Sequence, residues 1–208
     1  MSLGELASDV AEWLRAHDVR ECVLAGHSLG GKVAMALCLG PDAGLAGGLI
    51  VLDIAPAEYE AGDGTRWGEI GDLFEALSAL PIEGCSSKKE ADALLAASVP
   101  DPSLRSFVLT NAVKTPAGSL AWRCNLPAIA ASLPTLAAFS LPAPPAPYAG
   151  DAFWINGGSS RYVRARELPR IGELFPRHKI ATVRGAGHWV HAEREGDVLK
   201  LVRSFLER

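Results

Sequence analysis

Apolar residues at positions 3, 6, 10, 13 and 14 recur at the three- and four-residue spacing of one helix face, with polar residues between them. That spacing predicts an amphipathic helix over residues 3–17. A short apolar run at 22–25 reads as a strand, residues 26–31 as a tight turn, and 32–39 as a helix of good formers that stops near Gly40-Pro41. A second apolar run follows at 48–53. Short continuous runs of Val, Leu and Ile alternating with helices predict a parallel sheet covered on both faces. The same grammar resumes late in the chain, with a strand at 152–156, a helix at 163–174, a strand at 179–183 and a helix at 197–206.

Between these two blocks the pattern changes. Helical stretches near 67–80, 87–98 and 101–113 follow one another without a core strand, so residues 57–150 read as a helical lid inserted between core strands. The core would then be 1–56 and 151–208, a single α/β domain with a mostly parallel sheet. The uncharged segment 125–150 resembles a membrane span in composition, but prolines 127, 134, 142, 144, 145 and 147 break it too often for a spanning helix. Its Pro-rich part, 142–147, reads as an extended return connection.

A chain of 208 residues is enough for one compact domain with a sizeable core. With 49% hydrophobic and 21% charged residues it is globular in composition rather than disordered. The net charge of -4 argues against a nucleic-acid partner, which would need a basic surface. Cys22, Cys38, Cys85 and Cys124 are scattered without zinc-binding spacing, so they read as reduced thiols and no metal is expected. The N-terminal segment is neither secretory nor transit-like, and the chain as it stands reads as intracellular and cytosolic. No dinucleotide-binding or P-loop fingerprint is present.

The chemistry concentrates in GHSLGGK at 26–32, which places Ser28 in a G-x-S-x-G pattern after a strand and before a helix. Such a turn holds a serine proud of the sheet. Gly26 and Gly30 are expected to let the backbone pass closely without Cβ clashes. The Leu29 amide, at the helix N-terminus, is placed to donate to a developing oxyanion. The alternative is a Gly-rich helix start in which Ser28 is only an N-cap.

A serine hydroxyl needs a base. Of the five histidines, His188 in GAGHWVHAE at 185–193 follows a strand and so lies at the same sheet edge as Ser28. His191 reads as a solvated or capping residue. The base needs an acid at that edge too. Asp151 precedes its strand and falls at the opposite end, and the loop after that strand offers only Ser159 and Ser160. Asp53, after the run at 49–52, completes the chain order Ser28, Asp53, His188. Ser160 could instead contact His188, or share it with Asp53. As a non-catalytic residue, Asp53 would cap the turn before Pro56.

With these residues in view, the chain resembles the α/β-hydrolase superfamily over essentially its whole length. GHSLGGK, LDIAP at 52–56, FVLTN at 107–111, AWRCNL at 121–126, GGSSRYV at 157–163 and GAGHWVHAE together resemble the small esterases of the mitochondrial abhydrolase-domain-11 type and their bacterial relatives. The resemblance implies hydrolysis of small-molecule carboxylic esters, acyl thioesters included, without cofactor. Arg123 and Asn125 match the W-R-x-N pattern of these esterases, which implies that they either line the site or belong to a structural salt bridge of the lid. Some members carry the acid after W-R-x-N-L, where this chain has Pro127. The family fold places four strands before the nucleophile strand and this chain has one helix there, so the expectation is an N-terminally truncated α/β-hydrolase fold. The segment supplying a second oxyanion donor is then missing, and the nucleophile strand becomes a sheet edge open to self-association. A mitochondrial or plastid targeting segment would belong to a longer form. The competing reading is a non-catalytic remnant acting as a binding or interaction module.

Overall fold

Along the chain the elements are α1 (Leu3–Ala16), β1 (Cys22–His27), α2 (Leu29–Cys38), β2 (Ala46–Leu52), α3 (Trp67–Ala79), α4 (Lys88–Leu95), α5 (Pro102–Val108), β3 (Ala112–Lys114), β4 (Leu120–Trp122), α6 (Leu126–Ala137), β5 (Asp151–Gly157), α7 (Leu168–Leu174), β6 (His178–Val183), α8 (Val190–Glu193) and α9 (Glu195–Leu206). The structure is a computed structural model and describes residues 1–60, 62, 65, 67–141 and 145–207. The expected return connection at 142–147 therefore lies partly outside the described residues.

The chain forms two compact units. The first comprises Met1–Tyr59, Asp63–Thr65 and Thr135–Arg208, and the second Glu60–Gly62 and Arg66–Pro134. In the first unit β1, β2, β5 and β6 form a parallel sheet in the order β1-β2-β5-β6. Alternate residues of a strand face opposite sides. On β2, Val51 lies against α2, its Cγ1 3.2 Å from where a Gly31 Cβ would sit, whereas a Gly48 Cβ would meet Phe205 of α9 at 3.4 Å. Helices thus cover both faces of β2, and β2 and β5 are buried along nearly their whole length, which is why these two read as apolar runs. Ile50, Phe153, Ile155, Val183, Val198 and Phe205 make the core on the α9 side. β1 is one edge of the sheet, with Val23 38% exposed.

α1 starts with a reciprocal cap: Ser2 Oγ accepts from the Glu5 amide and the Glu5 carboxylate accepts from the Ser2 amide. Its buried face is Leu3, Ala7, Ala11 and Leu14, narrower than the stripe of large residues the sequence suggests. Trp13, assigned to that stripe, is 56% exposed and stacks on His17 at 4.1 Å.

The second unit has its own core, built around Leu77, Leu95, Val108, Leu109, Leu120 and Leu126. β3 and β4 pair antiparallel, so the helix expected to reach residue 113 ends at Val108. Three-residue strands are too short to show a period of two, which is why the sequence concealed them. α6 forms within the uncharged segment despite Pro134 inside it. Among the described residues no helix is long and apolar enough to cross a membrane.

Candidate active site

Parallel strands in register bring their C-terminal ends to one edge: His27 pairs with Leu52, Leu52 with Ile155, and Gly157 with Val183. The residues that follow these strand ends are Ser28, Asp53, the loop with Ser160, and the loop with His188. The backbone turns sharply there. Ser28 has φ 52° and ψ -121°, and its side chain makes no capping bond to α2. That answers the N-cap alternative, since a serine held in a left-handed conformation is strained and here is not repaid by a cap. Asp53 also has a positive φ of 52°, with its amide bonded to Ile155 O at 3.1 Å.

The turn depends on Gly26, where a Cβ would lie 2.3 Å from the Gly30 carbonyl oxygen. Gly30 does not play the matching part expected of it. A Cβ there would meet nothing within 4 Å, so what must come close is the Gly30 backbone.

His188 Nδ1 lies 2.8 Å from Asp53 Oδ2, and His188 Nε2 lies 3.1 Å from Ser28 Oγ. A carboxylate only accepts, so the network assigns the proton to Nδ1 and leaves Nε2 as an acceptor facing the serine hydroxyl. Asp53 is fully buried. Its Oδ1 accepts from the Gly157 amide at 2.9 Å, and its Oδ2 also accepts from Ser160 Oγ. Three donors thus satisfy the carboxylate in a dry setting, where an unpaired one would be costly. Ser160 is brought to the Asp53 carboxylate rather than to the imidazole, which corrects its expected contact with His188. Leu29 is the first residue of α2, so its amide is one of the N–H groups for which the helix has no acceptor.

Aromatic rings pack against His188. Tyr162 stacks on the His188 imidazole at 3.9 Å between centroids, and His27 approaches it at 4.7 Å. His191 is half-buried rather than freely solvated. It packs edge-on against His27 at 4.5 Å, its Nδ1 is buried with no partner among the described residues, and burial lowers its pKa. Tyr59 Oη accepts from the Ala55 amide at 2.9 Å and donates to Tyr162 O at 2.6 Å, joining the loop after β2 to the loop after β5.

Lys32 was legible only as the last letter of the glycine-rich motif. It is fully buried, and its Nζ donates to the carbonyls of Leu136, Ala137 and Ala138 at 3.2, 2.5 and 3.1 Å. The ammonium also lies 4.8 Å from the centre of the Tyr59 ring. A cation at the C-terminal end of α6 is favourably placed with respect to its dipole, while burial pushes the Lys32 pKa down to about 7. The one available signal was a lysine in an otherwise apolar helix.

Arg123 and Asn125 have local partners within the second unit. Arg123 donates to Asn111 Oδ1 at 3.2 Å, and Asn125 Oδ1 accepts from the Ala128 amide at 3.1 Å at the start of α6. Among the described residues no group of three or more His, Cys, Asp or Glu side chains is arranged to hold a metal ion.

Residues 2–201 match the model of the Alpha/beta hydrolase family. The chain is 38% identical over 190 residues to the mouse sn-1-specific diacylglycerol lipase ABHD11, covering 89% of this chain and 59% of that protein. It is 30% identical over 208 residues to esterase YbfF of Escherichia coli, covering 99% of this chain and 75% of that one. Among solved structures, a marine microorganism esterase superposes with a TM-score of 0.93 at 27% identity, covering 99% of this chain and 77% of the other. The chain spans about six-tenths of the length of the vertebrate relatives it matches.

Proposed function

Because the chain belongs to the α/β-hydrolase family, we propose that it cleaves carboxylic esters through Ser28, His188 and Asp53 by way of an acyl-enzyme. The observation that carries this reading is the unbroken relay from Ser28 Oγ through both imidazole nitrogens to a buried carboxylate. The names of the relatives, an esterase and a diacylglycerol lipase, point to the same bond class.

In this reading Ser28 Oγ attacks the acyl carbon as His188 Nε2 takes its proton. Asp53 holds the imidazole in the Nδ1–H form and stabilises the imidazolium that results. The Leu29 amide donates to the tetrahedral oxyanion. The intermediate collapses as Nε2 returns the proton to the leaving alkoxide, releasing the alcohol and leaving an ester on Ser28. Water, deprotonated by the same nitrogen, then attacks, and the acid leaves with Ser28 restored. Thioesters fit the same steps with a thiolate as leaving group. The helical insertion keeps the lid role that its sequence suggests, so substitutions in it alter acyl preference rather than the chemistry.

The test is hydrolysis of a short-chain p-nitrophenyl ester by the chain and by Ser28→Ala. Release of p-nitrophenol that disappears in a folded Ser28→Ala variant supports the reading. A folded wild-type chain without activity on a range of acyl lengths rejects it in favour of a binding module.

A further inference from the structure

His27 directly precedes Ser28, and the mechanism above gives its side chain no task. Its Nε2 lies 2.8 Å from the main-chain oxygen of His188. A carbonyl only accepts, so Nε2 carries a proton and donates it. The ring is held on three sides, by His188 at 4.7 Å, Trp189 at 5.1 Å and His191 at 4.5 Å. Burial pushes its pKa down to about 4, so the imidazole is neutral at ordinary assay pH.

The loop carrying His188 is tied elsewhere by other bonds. The Ser159 amide donates to Ala186 O at 2.9 Å, while the Gly187 and Trp189 amides donate to the Glu193 carboxylate at 2.7 and 3.2 Å. These bonds fix the loop to the β5 side and to its own following helix. The His27 bond runs in the other direction, to the elbow. One residue is thus covalently joined to Ser28 and hydrogen-bonded to the backbone of His188.

We propose that His27 is a positioning residue, whose bond to the His188 carbonyl sets the separation between the serine hydroxyl and the imidazole that deprotonates it. The bond acts through the main chain of His188 rather than on the reacting atoms. Its effect is on the probability that Oγ and Nε2 stand at hydrogen-bond distance, where a displacement of about 1 Å costs on the order of 100-fold in rate. The inference rests on the hydrolase reading of Ser28 and His188.

The experiment uses the full chain with His27→Phe and His27→Leu, which fill the space without a donor, and His27→Gln, which offers an amide N–H at similar reach. Ester turnover, the rate of fluorophosphonate labelling and the thermal transition are measured for each, with Ser28→Ala alongside. Loss of the donor is expected to lower kcat and labelling in parallel by roughly 10- to 100-fold with KM little changed, in variants that still unfold cooperatively. His27→Gln is expected to recover most of that loss. Donorless variants with wild-type turnover, or a Gln variant as slow as Phe, would overturn the proposal. So would a requirement for His27 in folding itself, with neither donorless variant folding. An active Ser28→Ala variant would instead sink the underlying hydrolase reading, so the two failures are distinguishable.

Discussion

Replacing Asp53 by Asn separates the roles of its two oxygens. In the native site Oδ1 accepts from the Gly157 amide, and Oδ2 accepts from His188 Nδ1 and Ser160 Oγ. An amide has one oxygen to offer. If its NH2 faced the Gly157 N–H, two donors would oppose each other in a fully buried place, at a cost of about 1–3 kcal/mol. If its NH2 faces the other side, Ser160 Oγ can turn and accept, but His188 Nδ1 must also accept, so the imidazole proton moves to Nε2. The less costly orientation therefore points an N–H at Ser28 Oγ, and the base can no longer take the hydroxyl proton. The expected loss is about 10,000-fold in kcat, about 5.4 kcal/mol of transition-state stabilisation, with the fold and KM little changed. Ser160→Ala removes one bond to the carboxylate, worth about 1.5–3 kcal/mol, and leaves the imidazole tautomer intact, so it is expected to be the milder variant. Ester turnover alongside circular dichroism reads both. An Asp53→Asn variant within ten-fold of wild type, or a Ser160→Ala variant slower than it, would refute this reasoning.

Three further outcomes follow from buried groups and close approaches. Lys32, with its pKa lowered to about 7 by burial, releases its proton in the folded state while the unfolded chain keeps it to roughly 10.4. The unfolded state then binds more protons in that window, so wild-type stability relative to Lys32→Met should rise with pH from about 7 to 10, by up to about 1.4 kcal/mol per unit; parallel urea-unfolding midpoints across that range would contradict it. Gly26→Ala forces a Cβ to 2.3 Å from the Gly30 oxygen and should cost at least about 1–3 kcal/mol together with esterase activity. Gly30→Ala, in open space within the first turn of α2, should keep or raise the melting temperature, helped by the roughly 1 kcal/mol helix advantage of Ala over Gly.

Much of this architecture is legible in the sequence, for physical reasons that differ by region. β2 and β5, in the middle of the sheet, are buried along nearly their whole length, and such strands announce themselves as apolar runs, while the edge strands β1 and β6 keep exposed positions such as Val23 and Ile180. The parallel order of these strands then places Ser28, Asp53 and His188 at one sheet edge, so their proximity could be reasoned from topology before any coordinates. What escaped depends on contacts distant in sequence. Trp13 faces outward because the α1 interface uses the small Ala7 and Ala11, which a count of large apolar residues overlooks. The β3–β4 hairpin is too short to carry a period. The partners of Lys32 lie at 136–138, more than a hundred positions away, and nothing local marks that lysine as buried. The choice of Ser160 between acid and imidazole is a matter of ångströms, which no spacing rule resolves.

Ester cleavage by this chain requires that Ser28 be a nucleophile activated by His188. The most direct measurement of that activation is the intact mass of the chain after treatment with a fluorophosphonate, followed by peptide mapping of the adduct. One phosphonyl group is expected, on Ser28, absent from Ser28→Ala and formed far more slowly in Asp53→Asn. An adduct on another residue that persists in Ser28→Ala, or a folded wild-type chain that takes up no label, would contradict it.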